Sequence, residues 1–153
     1  MTGDYRKIGC CIDDSSAATG AAGLASLVAR STGAQLLLVH VAPTPEAALV
    51  GMQGWSDAAL DAEEAIRTQV GALLREQAEK IGAEPVLLQG AHAGEAVCAW
   101  ATDEGCDLLV AAPHSGRWRR AAMGSFAGYV SVHAPCSVLL ARGALPASVS
   151  LAS

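Results

Sequence analysis

Apolar runs of five to eight residues alternate along this chain with longer segments whose apolar positions recur every three or four residues. The first run, Ile8–Ile12, is cut off by Asp13, Asp14, Ser15 and Ser16. An unbroken apolar run of that length suits a strand covered on both faces, as in a parallel sheet. Ser15 or Ser16 can then cap a helix reaching about Thr32, in which Ala21, Leu24, Ala25 and Val28 form one buried stripe. Gly33 stands where a glycine commonly follows a last helical turn. Gln35–Ala42 is the second strand run, and Pro43 and Pro45 stop it because neither can donate to a ladder. Thr44 to Ser56 carries no single pattern, and helix and loop both stay open there. From Asp57 to Lys80 the helical period returns, with Ile66, Val70, Leu73, Leu74 and Ile81 expected on one face and charges on the other.

Gly82 breaks that helix, and Glu84–Leu88 begins a third strand. Gly94 and Glu95 open a helix carrying Val97, Trp100 and Ala101, and Gly105 closes it. Asp107–Ala112 is the fourth strand. After a polar, arginine-rich loop from Pro113 to Arg120, Gly124 and Ser125 introduce a last helix with Phe126, Tyr129 and Val130. Pro135 stops this helix before the fifth strand, Ser137–Ala141. Five strands alternating with four helices predict an α/β open sheet with right-handed crossovers and helices on both faces. No repeat or linker divides the chain. One domain is expected over residues 1–142, with a loosely attached, unpatterned tail over 143–153.

Composition narrows the functions this sheet can serve. A length of 153 residues is enough for one hydrophobic core without disulfides or a structural metal. Hydrophobic residues at 52% and charged residues at 16% exclude a disordered chain. Ten Lys+Arg against fifteen Asp+Glu give a net charge of −5, which excludes broad attraction to nucleic acid or to an anionic membrane. The five cysteines are an odd set with no Cys-x-x-Cys or Cys/His ligand spacing, so no metal site is expected and a reducing cytoplasm is. No run approaches the ~20 apolar residues of a membrane span, and the first apolar run is too short for a signal segment.

In open α/β sheets the ligand sits beyond the carboxyl ends of the strands. Asp13–Ser15, Val41-Ala42, Gln89-Gly90 and the loop Pro113–Gly124 fall there. Asp13 and Asp14 have two readings: a helix-start signal, or ligands for a metal or hydroxyl. The loop also has two. Gly116, the arginines at 117, 119 and 120, and the Gly124-Ser125 helix start could form an anion site. They could equally be a glycine-relieved turn with a solvated basic face. His40 reads as a hydrogen-bonded core histidine, Trp100 as core, and Cys10 and Cys11 as packing thiols with no positive neighbour to activate them. His114 has no partner for a general-acid role. A phospho-receiver domain is excluded, since Gln89-Gly90 follows the third strand where an Asp is needed and no Lys lies near the fifth.

The stretch from Lys7 (KIGCCIDDSS), the run LLLVHV, and Asp107–Arg142 resemble the universal stress protein family. The ending is the most specific part: Gly-Ser, a helix, His133-Ala134-Pro135-Cys136, then Val138–Arg142. The resemblance implies a five-stranded parallel sheet of order 3-2-1-4-5, usually in a homodimer. It also implies a stress-response regulator that binds an adenine nucleotide, ATP or AMP with magnesium, with little or no turnover. No paired base and nucleophile is visible, so no catalytic residue is assigned and no enzyme is expected. Nucleotide-binding members carry Gly-x2-Gly-x9-Gly-[Ser/Thr]. Here the run is Pro113, two residues, Gly116, seven residues, Gly124 and Ser125. By resemblance Asp13 would meet the ribose or adenine side, Val41 and Ala112 would frame the base with backbone groups, and Gly116, Gly124 and Ser125 would hold phosphates. Pro113 replaces the first glycine and removes one N–H donor, which weakens the expected binding. The alternative is a dimeric interaction protein of the same fold without a nucleotide. Either way the apolar edge Ser137–Ala141, free of proline and charge, invites pairing with a second copy across a two-fold axis.

Overall fold

The computed structural model describes residues 4–12, 16–44, 57–112 and 126–142. Among these the alternating pattern becomes β1 (Lys7–Cys11), α1 (Ser16–Thr32), β2 (Gln35–Ala42), α2 (Asp57–Ile81), β3 (Glu84–Gln89), α3 (Ala93–Glu104), β4 (Leu108–Ala111), α4 (Phe126–His133) and β5 (Ser137–Leu140). The expected strand bounds hold to within a residue. Asp13–Ser15, most of the Thr44–Ser56 stretch, the Pro113–Ser125 loop and the tail lie outside the described residues.

The strands form one sheet of order β3-β2-β1-β4-β5, every pair parallel. Strand alternation sends neighbouring side chains to opposite faces, and both faces are buried. On one face Ile8, Cys10, Leu36, Leu38, Leu108 and Val110 pack against Ala21, Ala25 and Ala29 of α1 and Leu74 and Ala78 of α2. On the other, Cys11, Leu37, Val39, Leu109 and Ala111 pack against Val97, Cys98 and Ala101 of α3 and Val130 of α4. Each fully buried leucine or valine contributes roughly 1.5–3 kcal/mol. Alanines on the helix faces let the helices sit close to the sheet. Gly9 takes this furthest: a Cβ there would lie 2.8 Å from Leu109 Cδ2 and 2.9 Å from the Trp100 ring. Trp100 is therefore seated against the strand backbone.

Three helices stop on the same device. Gly33, Gly82 and Gly105 have φ of 72°, 68° and 66°, a left-handed conformation that glycine adopts without a Cβ clash. The next residue then bonds back into the last turn: Ala34 N–H to the Ala29 carbonyl at 3.0 Å, Ala83 to Ala78 at 2.8 Å, and Cys106 to Ala101 at 2.9 Å. This closes the last turn of each helix and delivers the chain directly into the next strand.

The face expected of α2 requires a correction. Leu74 and Ala78 are buried and Val70 and Ile81 half-buried, but Ile66 and Leu73 are 61% and 52% exposed. Leu73 is one residue, and so about 100° of helix rotation, from Leu74. One helix cannot present both to the sheet. The stripe chosen is 70-74-78-81, where Ala78 allows the closest approach.

Candidate functional site

The cleft arises because β1 stops short. Its last pairs are Cys11 with Val39 on β2 and Cys11 with Ala111 on β4. Strand β2 runs three residues further, to Ala42, held there by β3. In a parallel ladder successive residues turn their peptide groups to alternate sides. The Val39 carbonyl faces β1, where it accepts the Ile12 N–H at 2.9 Å, and the Ala42 carbonyl faces β3, where it accepts the Gly90 N–H at 3.1 Å. The N–H and C=O of Val41 therefore face the β1 side, beyond the last β1–β2 pair. On the other flank, the Ala111 carbonyl is taken by Ala141 N–H of the β5 side at 2.8 Å, so Ala112 turns back towards β1. This gap lies where strand order reverses, the usual ligand position in such sheets.

The resulting cleft has a volume of about 110 Å³. Cys11, Ile12, Val39, Val41 and Ala112 form its strand-end floor, with His40 beside them, and Ala93 and Val97 of α3 and Phe126 of α4 form its wall. Among these residues only His40 and Cys11 have ionisable side chains. The Cys11 thiol is pushed well above its ordinary range, first by burial and then by its neighbouring thiols, Cys10, Cys106, Cys98 and Cys136. It is a protonated packing group and not a nucleophile. His40 is half-buried, with Nδ1 3.1 Å from the Ile12 carbonyl oxygen. A carbonyl only accepts, so Nδ1 carries the proton. The cleft thus offers apolar walls and strand-end peptide groups, a surface suited to a flat heterocycle.

Two predicted site residues, Val41 and Ala112, meet on this cleft. Asp13, Gly116, Gly124 and Ser125 lie outside the described residues. His40 is hydrogen-bonded, as the sequence suggests, yet it lines the cleft instead of the core. Cys11, Ile12 and Val39 were findable as strand-end positions. Ala93, Val97 and Phe126 carry no sequence signal that separates them from helix packing. Among the described residues no three His, Cys, Asp or Glu side chains are grouped to hold a metal ion, and no helix is long and apolar enough to cross a membrane.

The same architecture recurs in solved proteins. The universal stress protein UspA from Lactobacillus plantarum matches with a TM-score of 0.73 and 22% identity, over 92% of this chain and 99% of that one. A universal stress protein in complex with cAMP matches at 0.67 and 19% identity, over 92% and 99%. The universal stress protein from Archaeoglobus fulgidus in complex with dAMP matches at 0.57 and 19% identity, over 91% and 99%. At these identities the likeness establishes the fold. No curated protein matches the chain. In sequence, residues 4–142 match the model of the universal stress protein family. With the strand order and the switch-point cleft in agreement with that match, the chain belongs to the universal stress protein family.

Proposed function

We propose that this protein is a stress-response regulator that binds an adenine nucleotide, ATP or AMP, in the switch-point cleft with little or no turnover. The observation carrying this reading is the pair of strand ends, Val41 and Ala112, facing each other across the gap left by β1 on an apolar floor. Structural relatives in complex with cAMP and dAMP support the choice of an adenine base. The base lies between the Val41 and Ala112 backbones, Asp13 takes the ribose, and Gly116, Gly124 and Ser125 hold the phosphates with magnesium. Pro113 costs one N–H donor, roughly 0.5–1.5 kcal/mol and about tenfold in affinity at most. Binding is therefore weaker than a full glycine motif would give.

A second copy pairs through β5, whose outer edge has no partner strand among the described residues. Five free thiols fit a reducing cytoplasm. Titration calorimetry with AMP and with ATP plus magnesium tests the reading. Heat is expected for the parent, with stronger ATP binding in Pro113→Gly and weaker binding of both nucleotides in Asp13→Ala. No heat in either the parent or Pro113→Gly leaves a dimeric interaction protein without a nucleotide. Sedimentation at micromolar concentration tests the dimer, and a 15.5 kDa species would refute it.

A further inference from the structure

Regular continuation of the β1–β2 ladder would pair Ile12 with His40. Half of that pairing is made: the Ile12 N–H donates to the Val39 carbonyl at 2.9 Å. The other half would be Val41 N–H to the Ile12 carbonyl, and among the described residues that bond is absent. The Ile12 carbonyl is instead taken by the His40 ring at 3.1 Å. A carbonyl oxygen can accept twice, so what separates it from Val41 is its direction: it is held towards the ring of the neighbouring residue, and the Val41 bond to it is not made. The Val41 N–H faces the cleft with its C=O on the same side, a donor and an acceptor next to each other on an apolar floor.

We infer that His40 is a positioning residue: by holding the Ile12 carbonyl it ends the β1–β2 ladder one residue early and keeps the Val41 N–H available for the ligand. The inference rests on the nucleotide reading for the identity of that ligand. It adds the reason the peptide edge is open. A ligand fitting this edge presents an acceptor beside a donor, as the ring nitrogen and amino group of a 6-aminopurine do. A 6-oxopurine presents the two in the reverse order and is matched poorly.

The experiment compares the parent with His40→Phe, which keeps a flat ring without a donor, and with His40→Gln, whose amide N–H can still reach the carbonyl. The first readout is exchange of the Val41 amide, followed by NMR without ligand. Fast exchange is expected in the parent and slowed exchange in His40→Phe, where Ile12 and Val41 complete their bond. The second readout is calorimetry with AMP and IMP. His40→Phe is expected to bind AMP about tenfold more weakly, as for one lost hydrogen bond, with the preference over IMP reduced. His40→Gln is expected to recover most of the loss. A Val41 amide already protected in the ligand-free parent would overturn the inference without any variant having to fold. AMP affinity and exchange both unmoved by His40→Phe would overturn the inference alone. No heat with AMP or with ATP plus magnesium, in the parent and in Pro113→Gly alike, would refute the nucleotide reading and, with it, this role for His40.

Discussion

Replacing Gly94 by alanine sets two opposed effects against each other, and the structure decides the sign. Gly94 is buried in the first turn of α3. A Cβ at this position would lie 2.8 Å from Tyr129 Cδ1 and 3.1 Å from both Cβ and Cγ of the same residue. Carbon atoms prefer roughly 3.5–4.0 Å, so the shortfall is about half an ångström or more. One of the atoms met is Tyr129 Cβ, which no rotamer change can move, so α4 itself must shift to relieve that contact. Such overpacking costs about 1–3 kcal/mol. Against it, alanine is favoured over glycine by about 1 kcal/mol in a helix interior, and by less in a first turn. The net expectation is a loss of about 1–2 kcal/mol. At about 2–4 °C per kcal/mol for a domain of this size, Tm falls by roughly 2–8 °C. Differential scanning calorimetry and urea titration read this directly, the urea midpoint moving with the slope unchanged. In a Tyr129→Ala background, which removes Cγ and Cδ1 and keeps Cβ, the same substitution should cost less, a coupling of about 0.5–3 kcal/mol. An alanine variant as stable as the parent, or more stable, would refute the packing argument. Ala93 and Phe126, on the two helices forced apart, both line the cleft, so AMP binding is expected to weaken in the same variant.

Asp107 Oδ2 accepts the N–H groups of Arg6 at 2.8 Å and Lys7 at 2.9 Å, and these bonds hold its carboxyl below the usual range. A lowered folded value means that the stabilisation is present above the unfolded aspartate pKa, ~3.9, and is lost as pH falls through the folded value. Asp107→Asn should lower stability at pH 7 by about 1 kcal/mol, given its solvent exposure. The gap to the parent should close in melts taken below about pH 4, and a pH-independent gap would refute the assignment. Burial pushes the Cys10 thiol up to about 12 and Cys11 higher than its ordinary range. Because unfolded thiols ionise near ~8.5, stability should fall as pH rises from there towards 12, with Cys10→Ala flattening the slope in denaturant titrations. In the folded protein at pH 8, alkylation mapped by mass spectrometry should spare Cys10 and Cys11 and mark the half-buried Cys136 first. Labelling of Cys10 at the rate of an exposed thiol would contradict the buried assignment.

Apolar runs and periodic segments were sufficient to place every described strand and helix. A strand covered on both faces must be apolar throughout, and a helix ending in a left-handed turn favours glycine there; Gly33, Gly82 and Gly105 stand at those ends. The stripe on α2 was legible only in part. Hydrophobicity alone could not rank Leu73 against Leu74, because the choice depends on how closely Ala78 lets the helix approach the sheet. Within the site, Val41 and Ala112 were foreseeable as strand ends, whereas His40 was assigned to the core because its neighbours in sequence are apolar.

Local pattern and turn chemistry act over a few residues, so the sequence by itself determined the order, type and approximate bounds of the elements. A single strand run records neither where its partner stops nor what a side chain meets across the gap. That β1 ends three residues before β2, that the Ile12 carbonyl goes to a ring and not to the next amide, and that Ala93, Val97 and Phe126 close one wall were decided by tertiary structure alone. Each is a contact between residues distant in the chain, and its free energy exists only once the sheet has brought them together.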